Sequence, residues 1–242
     1  MSTKRGVHAA TFSIVGRCKR TKHLGVAVAT KMPAVGGLCP FVRFGVGAVS
    51  SQAWLNPYLA VDILDRLAAG ATAHLAVAET LPRDPHRALR QVGVVDAQGR
   101  SSAHTGAEVD GWAGHFTGPD FAAQGNVLVG KETVDAMARA FIAGAELELD
   151  ERLLAALEAG QAAGGDKRGK QSAALVVHGP EVSPLVDLRV DDHPDPVVEL
   201  RRIHTLCQKE LFPYVASLPT RADPKGGTEA YRERWLRGDE TP

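Results

Sequence analysis

The chain has 242 residues, 44% of them hydrophobic, which suits one domain with a sizeable core. Lysine plus arginine and aspartate plus glutamate balance at 28 each, and aromatics make up only 5%, so neither nucleic acid nor an anionic membrane surface is expected as a partner. No apolar run approaches the span of a bilayer, MSTKRGVHAA lacks the apolar centre of a signal peptide, and Cys18, Cys39 and Cys207 are too scattered for a disulfide framework, which together point to a cytoplasmic protein.

The first periodic stretch is Thr11 to Val15, which alternates polar and apolar, and Val26 to Thr30 does the same with smaller residues. Lys19 to His23 forms a basic turn between them, and a turn of that length puts Thr11 opposite Lys31 and Ser13 opposite Ala29. Pro33, Gly36, Gly37 and Pro40 mark a loop, after which Val42 to Ser50 reads as a third strand that ends in Ser51 and Gln52. Leu59, Ile63, Leu64 and Leu67 recur at helical spacing between Tyr58 and Ala69, with Gly70 as the stop. A second helix, Ala73 to Thr80, is ended by Pro82 and Pro85.

Arg90 to Val95 reads as a strand, Asp96 to Gly99 as a turn, and Ser101 to Thr105 as its antiparallel partner. The glycine-rich passage from Gly111 to Asn126 is too irregular for a helix and too patterned for a linker. Helices follow at Glu132 to Ala143 and Leu149 to Ala163, then the basic loop GGDKRGKQS and strands at Ala173 to Val177 and Pro184 to Val190. Asp195-Pro196 reads as an N-cap followed by proline at the first helical position. The helix Val197 to Phe212 then shows Val198, Ile203, Leu206 and Leu211 as its apolar face. Residues 1–10 are read as an extension, 11–216 as a single domain, and 217–242, rich in proline, glycine and charge, as a surface arm or flexible tail.

Polar residues gather where strands end: Thr11 with Lys31, Ser50 with Ser51 and Gln52, His104 with Thr105, and the loops around Gln124-Gly125-Asn126 and Asp166 to Ser172. Glycine beside Gln124 and Asn126 lets a ligand approach the backbone, and both amides are candidate donors to a developing oxyanion. In GGDKRGKQS the glycine and lysine order is not that of a P-loop, so Asp166 and Arg168 are expected to pair and shape the loop, one of them facing a substrate. Asp191, Asp192 and His193 are the best candidates for a metal site, yet no metal-ligand spacing is present, and neither a metal nor a cofactor is expected. No nucleophile elbow of the Gly-x-Ser-x-Gly kind occurs.

The segments TFSIVGR, LGVAVATK, GVGAVSSQAW, QVGVVDAQGR, AHTGAE, WAGHFTG, AAQGN, AGGDKRGKQSAAL and DLRVDDHPDP, in this order, resemble the bacterial family called domain of unknown function 1028, which is classed as Ntn-hydrolase-like. The resemblance implies an α+β fold: a four-layer αββα sandwich with two antiparallel sheets between helix layers. It also implies that Thr11, freed by cleavage after Ala10, acts as nucleophile with its own α-amine as base, tuned by Lys31.

The leading expectation is therefore hydrolysis of the amide bond of a small polar molecule. Thr11, Lys31 and Asn126 would be catalytic, and Ser51, Gln52, His104, Thr105, Gln124, Gly125, Asp166, Arg168 and Gln171 would contact the small-molecule substrate. A non-catalytic ligand-binding or scaffold protein on the same fold is the alternative. Metal-dependent hydrolysis through Asp191, Asp192 and His193 is a third. A homodimer is expected from the paired sheets and the apolar C-terminal helix.

Overall fold

Alternation along the strands decides the architecture, because successive side chains leave a sheet on opposite faces. The computed structural model describes residues 11–237; the extension 1–10 and the last residues of the tail lie outside the described residues. Its strands are β1 (Thr11–Arg17), β2 (Leu24–Thr30), β3 (Pro40–Arg43), β4 (Gly47–Ala53), β5 (Arg90–Asp96), β6 (Ser101–Thr105), β7 (Trp112–Gly118), β8 (Phe121–Leu128), β9 (Ser172–His178) and β10 (Val186–Val190). Its helices are α1 (Pro57–Ala68), α2 (Ala73–Thr80), α3 (Glu132–Ala143), α4 (Leu149–Ala162), α5 (Pro196–Glu210), α6 (Phe212–Ser217) and α7 (Thr228–Arg237).

The strands form a 6-stranded sheet in the order β10-β9-β2-β1-β8-β7 and a 4-stranded sheet in the order β3-β4-β5-β6, with antiparallel pairing throughout. Phe12 and Ile14 of β1 turn outward and pack with Met137 and Phe141 of α3 and with Leu153, Leu154 and Leu157 of α4. Val49 of β4 and Val92 and Val94 of β5 turn outward onto Leu59, Ile63 and Leu64 of α1 and Val77 of α2. Each large side chain buried in these layers contributes roughly 1.5–3 kcal/mol. Between the sheets, Val15, Leu24, Val26, Ala48, Val95 and Ala122 meet in a third apolar cluster. Among the described residues no helix is long and apolar enough to cross a membrane.

Several expectations need correction. Thr11 faces Thr30, not Lys31, and Ser13 faces Val28. The turn runs from Cys18 to His23, closed by Cys18 N donating to His23 O at 2.9 Å, so it holds one residue more than expected and the register slips by one. The expected strand Val42 to Ser50 is a hairpin: Gly45, at φ 74, lets the chain reverse between β3 and β4. The unassigned passage Gly111 to Asn126 is also a hairpin, β7–β8, with β8 seated next to β1 at the centre of the larger sheet. On α5 the buried residues are Pro196, Val197, Leu200 and His204, whereas Val198, Leu206 and Leu211 are exposed. The expected face was rotated because a buried His204, bonded through Nε2 to Asp150 at 2.7 Å, does not register as apolar. The arm beyond 217 carries α7, which packs on α6.

Candidate functional site

The head of β1 lies between two neighbours on the larger sheet, Thr30 of β2 and Asn126 of β8. By strand alternation Thr11, Ser13, Gln124 and Asn126 point inward, toward Ser50 and Gln52 of β4 and Gln91 of β5 on the facing sheet. All seven side chains are essentially excluded from solvent. Thr11 Oγ1 donates to Thr30 Oγ1 at 3.3 Å, and the Thr11 carbonyl accepts from Gln52 Nε2 at 3.2 Å. Ser13 Oγ stands 2.6 Å from Gln52 Oε1 and 2.9 Å from Ser50 Oγ, and it accepts from Gln124 Nε2 at 2.6 Å.

Gln91 is the hub. Its Oε1 accepts from Gln52 Nε2 at 2.8 Å and from Asn126 Nδ2 at 2.9 Å. Its Nε2 donates to the carbonyls of Gly125 at 2.8 Å and Gly114 at 3.2 Å and to Thr105 Oγ1 at 2.9 Å. Thr105 Oγ1 in turn lies 2.9 Å from Nδ1 of His115. Burial lowers the His115 pKa, with the neighbouring His104 charge acting in the same direction. Two acceptors in the seam, Asn126 Oδ1 and Gln124 Oε1, have no hydrogen-bond partner among the described residues. A buried polar atom left unpaired costs about 1–3 kcal/mol, so each calls for an explanation. For Gln124 the explanation is packing: a Cβ at Gly93 would stand 1.9 Å from its Oε1, so the oxygen lies against the glycine's bare Cα.

The backbone is strained beside two of these amides. Ala53, directly after Gln52, has φ 65, and Val127, directly after Asn126, has φ 49, which a β-branched residue rarely adopts. Val127 is held there by its N–H on Asp110 O at 3.1 Å and by Lys167 N on its own carbonyl at 3.0 Å. A bulge between Trp112 and Gly114 interrupts β7 on the same side.

The structure gathers Thr11, Gln52, Thr105, Gln124, Gly125 and Asn126 into one cluster, but the remaining candidates stand elsewhere. Ser51 faces the opposite side of β4 and donates to Asn56 O at 2.9 Å. His104 turns to Arg87 O at 3.0 Å. Lys31 is exposed, with Nζ 3.2 Å from Lys170 O, while its backbone N–H donates to Asp166 Oδ2 at 2.7 Å. The buried Asp166 carboxylate also accepts from Arg168 N at 2.8 Å and from the Arg168 guanidinium at 2.9 Å, so the pair ties the loop to the end of β2. Gln171 donates to Asp192 at 3.1 Å, and His193 Nδ1 accepts from Asp195 N at 3.0 Å. Among the described residues no group of three or more His, Cys, Asp or Glu side chains is placed to hold a metal, so Asp191, Asp192 and His193 do not form the set that metal-dependent hydrolysis needs. Asp195 precedes α5 as expected, but its carboxylate takes Lys170 Nζ at 2.9 Å instead of capping the helix.

Ser13, Thr30, Ser50 and Gln91 also belong to this cluster, though none of them is among the residues expected to be catalytic or to contact substrate. Strict alternation held the signal: in a strand that buries Gln52 inward, Ser50 shares its face and Ser51 cannot.

Comparison with known proteins places this geometry in context. Residues 11–200 match a family described as a family of unknown function, DUF1028. The crystal structure of protein SPO2555 from Silicibacter pomeroyi, assigned to the same family, is similar with a TM-score of 0.82 and 32% identity, covering 90% of this chain and 95% of that one. No curated protein matches.

Proposed function

This chain belongs to the DUF1028 family, and we propose that it is a hydrolase of the N-terminal-nucleophile type, acting on the amide bond of a small polar molecule with Thr11 as nucleophile. The two sheets with helices on their outer faces are taken, in this reading, as the αββα sandwich of that class. One observation carries the proposal. Thr11 heads a central strand inside a cluster of hydroxyls and amides, and none of Ser13, Thr30, Ser50, Gln52, Gln91, Gln124 or Asn126 has a side chain that titrates in the physiological range. Such groups can orient and polarise but are not bases, and the imidazole that the network reaches, His115, joins it through Thr105 and Gln91 and not at Thr11. An α-amine released at Thr11 by hydrolysis of the Ala10–Thr11 bond supplies that base.

In the resulting mechanism Thr11 Oγ1 attacks the substrate carbonyl carbon and passes its proton to the α-amine. The tetrahedral intermediate collapses, the leaving nitrogen takes that proton, and water then hydrolyses the Thr11 ester to release the acid. Gln52 holds the Thr11 carbonyl, which fixes the nucleophile's backbone. Lys31, one residue past Thr30, would tune the amine only by turning from Lys170 toward it.

A panel of small amides, assayed with wild type and with Thr11→Ala, tests the reading. Turnover that disappears in Thr11→Ala while the fold is retained supports it. Equal turnover in the two proteins would sink it.

A second reading, a binding or scaffold protein, is favoured by the burial of Thr11, which is 1% exposed in the intact chain. Thermal stabilisation by a small amide that is never turned over would select that reading.

A further inference from the structure

We infer that Gln91 is a positioning residue: it presets the amide of Asn126 so that the oxygen, not the nitrogen, is presented at the head of β1 as the acceptor for the protonated α-nitrogen of Thr11. The inference rests on the hydrolase reading, since it needs that amine to exist.

An amide side chain is polar end to end, and what it contacts decides which end faces where. The carbonyls of Gly114 and Gly125 can only accept, so the Gln91 end facing them must be Nε2. Oε1 is then the end that meets Gln52 and Asn126, and both must turn their nitrogens to it. With Nδ2 committed to Gln91, the remaining branch of Asn126 is Oδ1, buried and without a partner. Asn126 is the register partner of Thr11 on the adjacent strand and shares its inward face, the closest arrangement a sheet offers two side chains. The orphan oxygen therefore lacks a donor on the strand beside Thr11, and an ammonium formed at the head of β1 is the donor we assign to it.

This changes the role expected of Asn126. One N–H of its nitrogen goes to Gln91, and the branch left without a partner is the oxygen, which makes Asn126 the acceptor for the base once the base has taken its proton. Gln52, turned by the same hub, presents its own nitrogen to the Thr11 carbonyl at 3.2 Å. One glutamine, pinned by two backbone carbonyls, thus orients the groups on both sides of the Thr11 backbone.

Competitive acetylation of the purified protein, as it matures, with acetic anhydride across pH, read by mass spectrometry of the peptide beginning at Thr11, measures how that amine titrates. Gln91→Leu frees the Asn126 amide to turn its nitrogen toward the amine, and the midpoint is expected to fall by about one pH unit. Asn126→Asp keeps an acceptor there and adds charge, and the midpoint is expected to rise by about one to three units. Opposite shifts support the inference, since a merely structural role would give no sign. Where Gln91→Leu fails to fold, Gln91→Met, which keeps the length of the side chain without its amide, makes the same test with the same expected fall. Label at Thr11 with a midpoint unmoved in these variants overturns the inference and leaves the hydrolase reading standing. No label at Thr11 at any pH overturns both.

Discussion

Along β1 the inward residues run Thr11, Ser13, Val15, and along β4, in the opposite direction, they run Gln52, Ser50, Ala48. The layer between the sheets is buried from end to end, yet near the hairpin turns it is made of Val15, Leu24, Val26, Ala48, Val95 and Ala122, and near the head of β1 of hydroxyls and amides. The apolar end is the ordinary solution, since burial there needs no particular partner. At the amide end each group gives up water and recovers the cost only through a fixed set of donors and acceptors. Strain divides the same way. At the turn end the positive-φ residues Lys22 and Asp120 sit in hairpin turns, where that conformation is common; at the amide end Ala53 and Val127 adopt it at a strand end and inside a strand. A fold seeking stability alone would extend the valines, and the amide end is where the proposed chemistry is placed.

The largest expected effect comes from carrying amide chemistry to the wrong end. Val15→Asn places an unpartnered amide among apolar neighbours and loses a buried side chain, at roughly 3–5 kcal/mol, seen as a lowered urea midpoint. A cost below about 1 kcal/mol would mean the apolar end is less tightly packed than described. The converse change, Ser13→Val, leaves Gln52 Oε1 and Gln124 Nε2 short of a partner and is expected to cost about 2–4 kcal/mol. If Ser13→Val stabilised the protein, the hydrogen bonds there would not be the ones that hold it.

Acid sharpens the comparison further. The loop feeding the amide end is braced by Asp84, which accepts from Asn56 at 2.8 Å and from the guanidinium of Arg90, the residue before Gln91, at 2.8 Å. Burial raises the Asp84 pKa, but the bonds from Arg90, Asn56 and the His86 N–H outweigh it and bring it down to about 2. A depressed folded pKa means stability that is complete above the unfolded value and lost as protons bind. The brace should therefore weaken as pH falls from about 4 to about 2, and Asp84→Asn should remove that part of the pH dependence. An unchanged acid limb in Asp84→Asn would contradict the assignment. The smallest effect is expected from Val127→Gly, where relief of about 1–2 kcal/mol of left-handed strain is partly offset by glycine's entropy, for a net gain of about 1 kcal/mol or less. Amide hydrolysis should nevertheless fall in that variant, because Asn126 loses its fixed neighbour.

How much of this was readable from sequence follows from the same contrast. The helices α1 to α4 and the strands β5, β6 and β9 follow directly from periodic apolar residues and turn signals. The amide end was harder because its inward residues are polar: Gln124 and Asn126 break the apolar pattern of a fully buried strand, so β8 and its bulged partner β7 went unassigned. Thr11, Gln52, Gln124 and Asn126 were nevertheless visible as polar groups at strand ends. Gln91 was not, since one glutamine beside an arginine at the start of a strand reads as surface. Lys31 was misplaced by a turn one residue longer than expected, and register is the property most sensitive to that.

The central claim, that Thr11 is freed to act as both nucleophile and base, is tested most directly by the intact mass of the purified protein. The account predicts a species beginning at Thr11, lacking everything through Ala10, with Thr11→Ala remaining uncut. A wild-type mass equal to the whole chain, or to the chain less Met1, would contradict it.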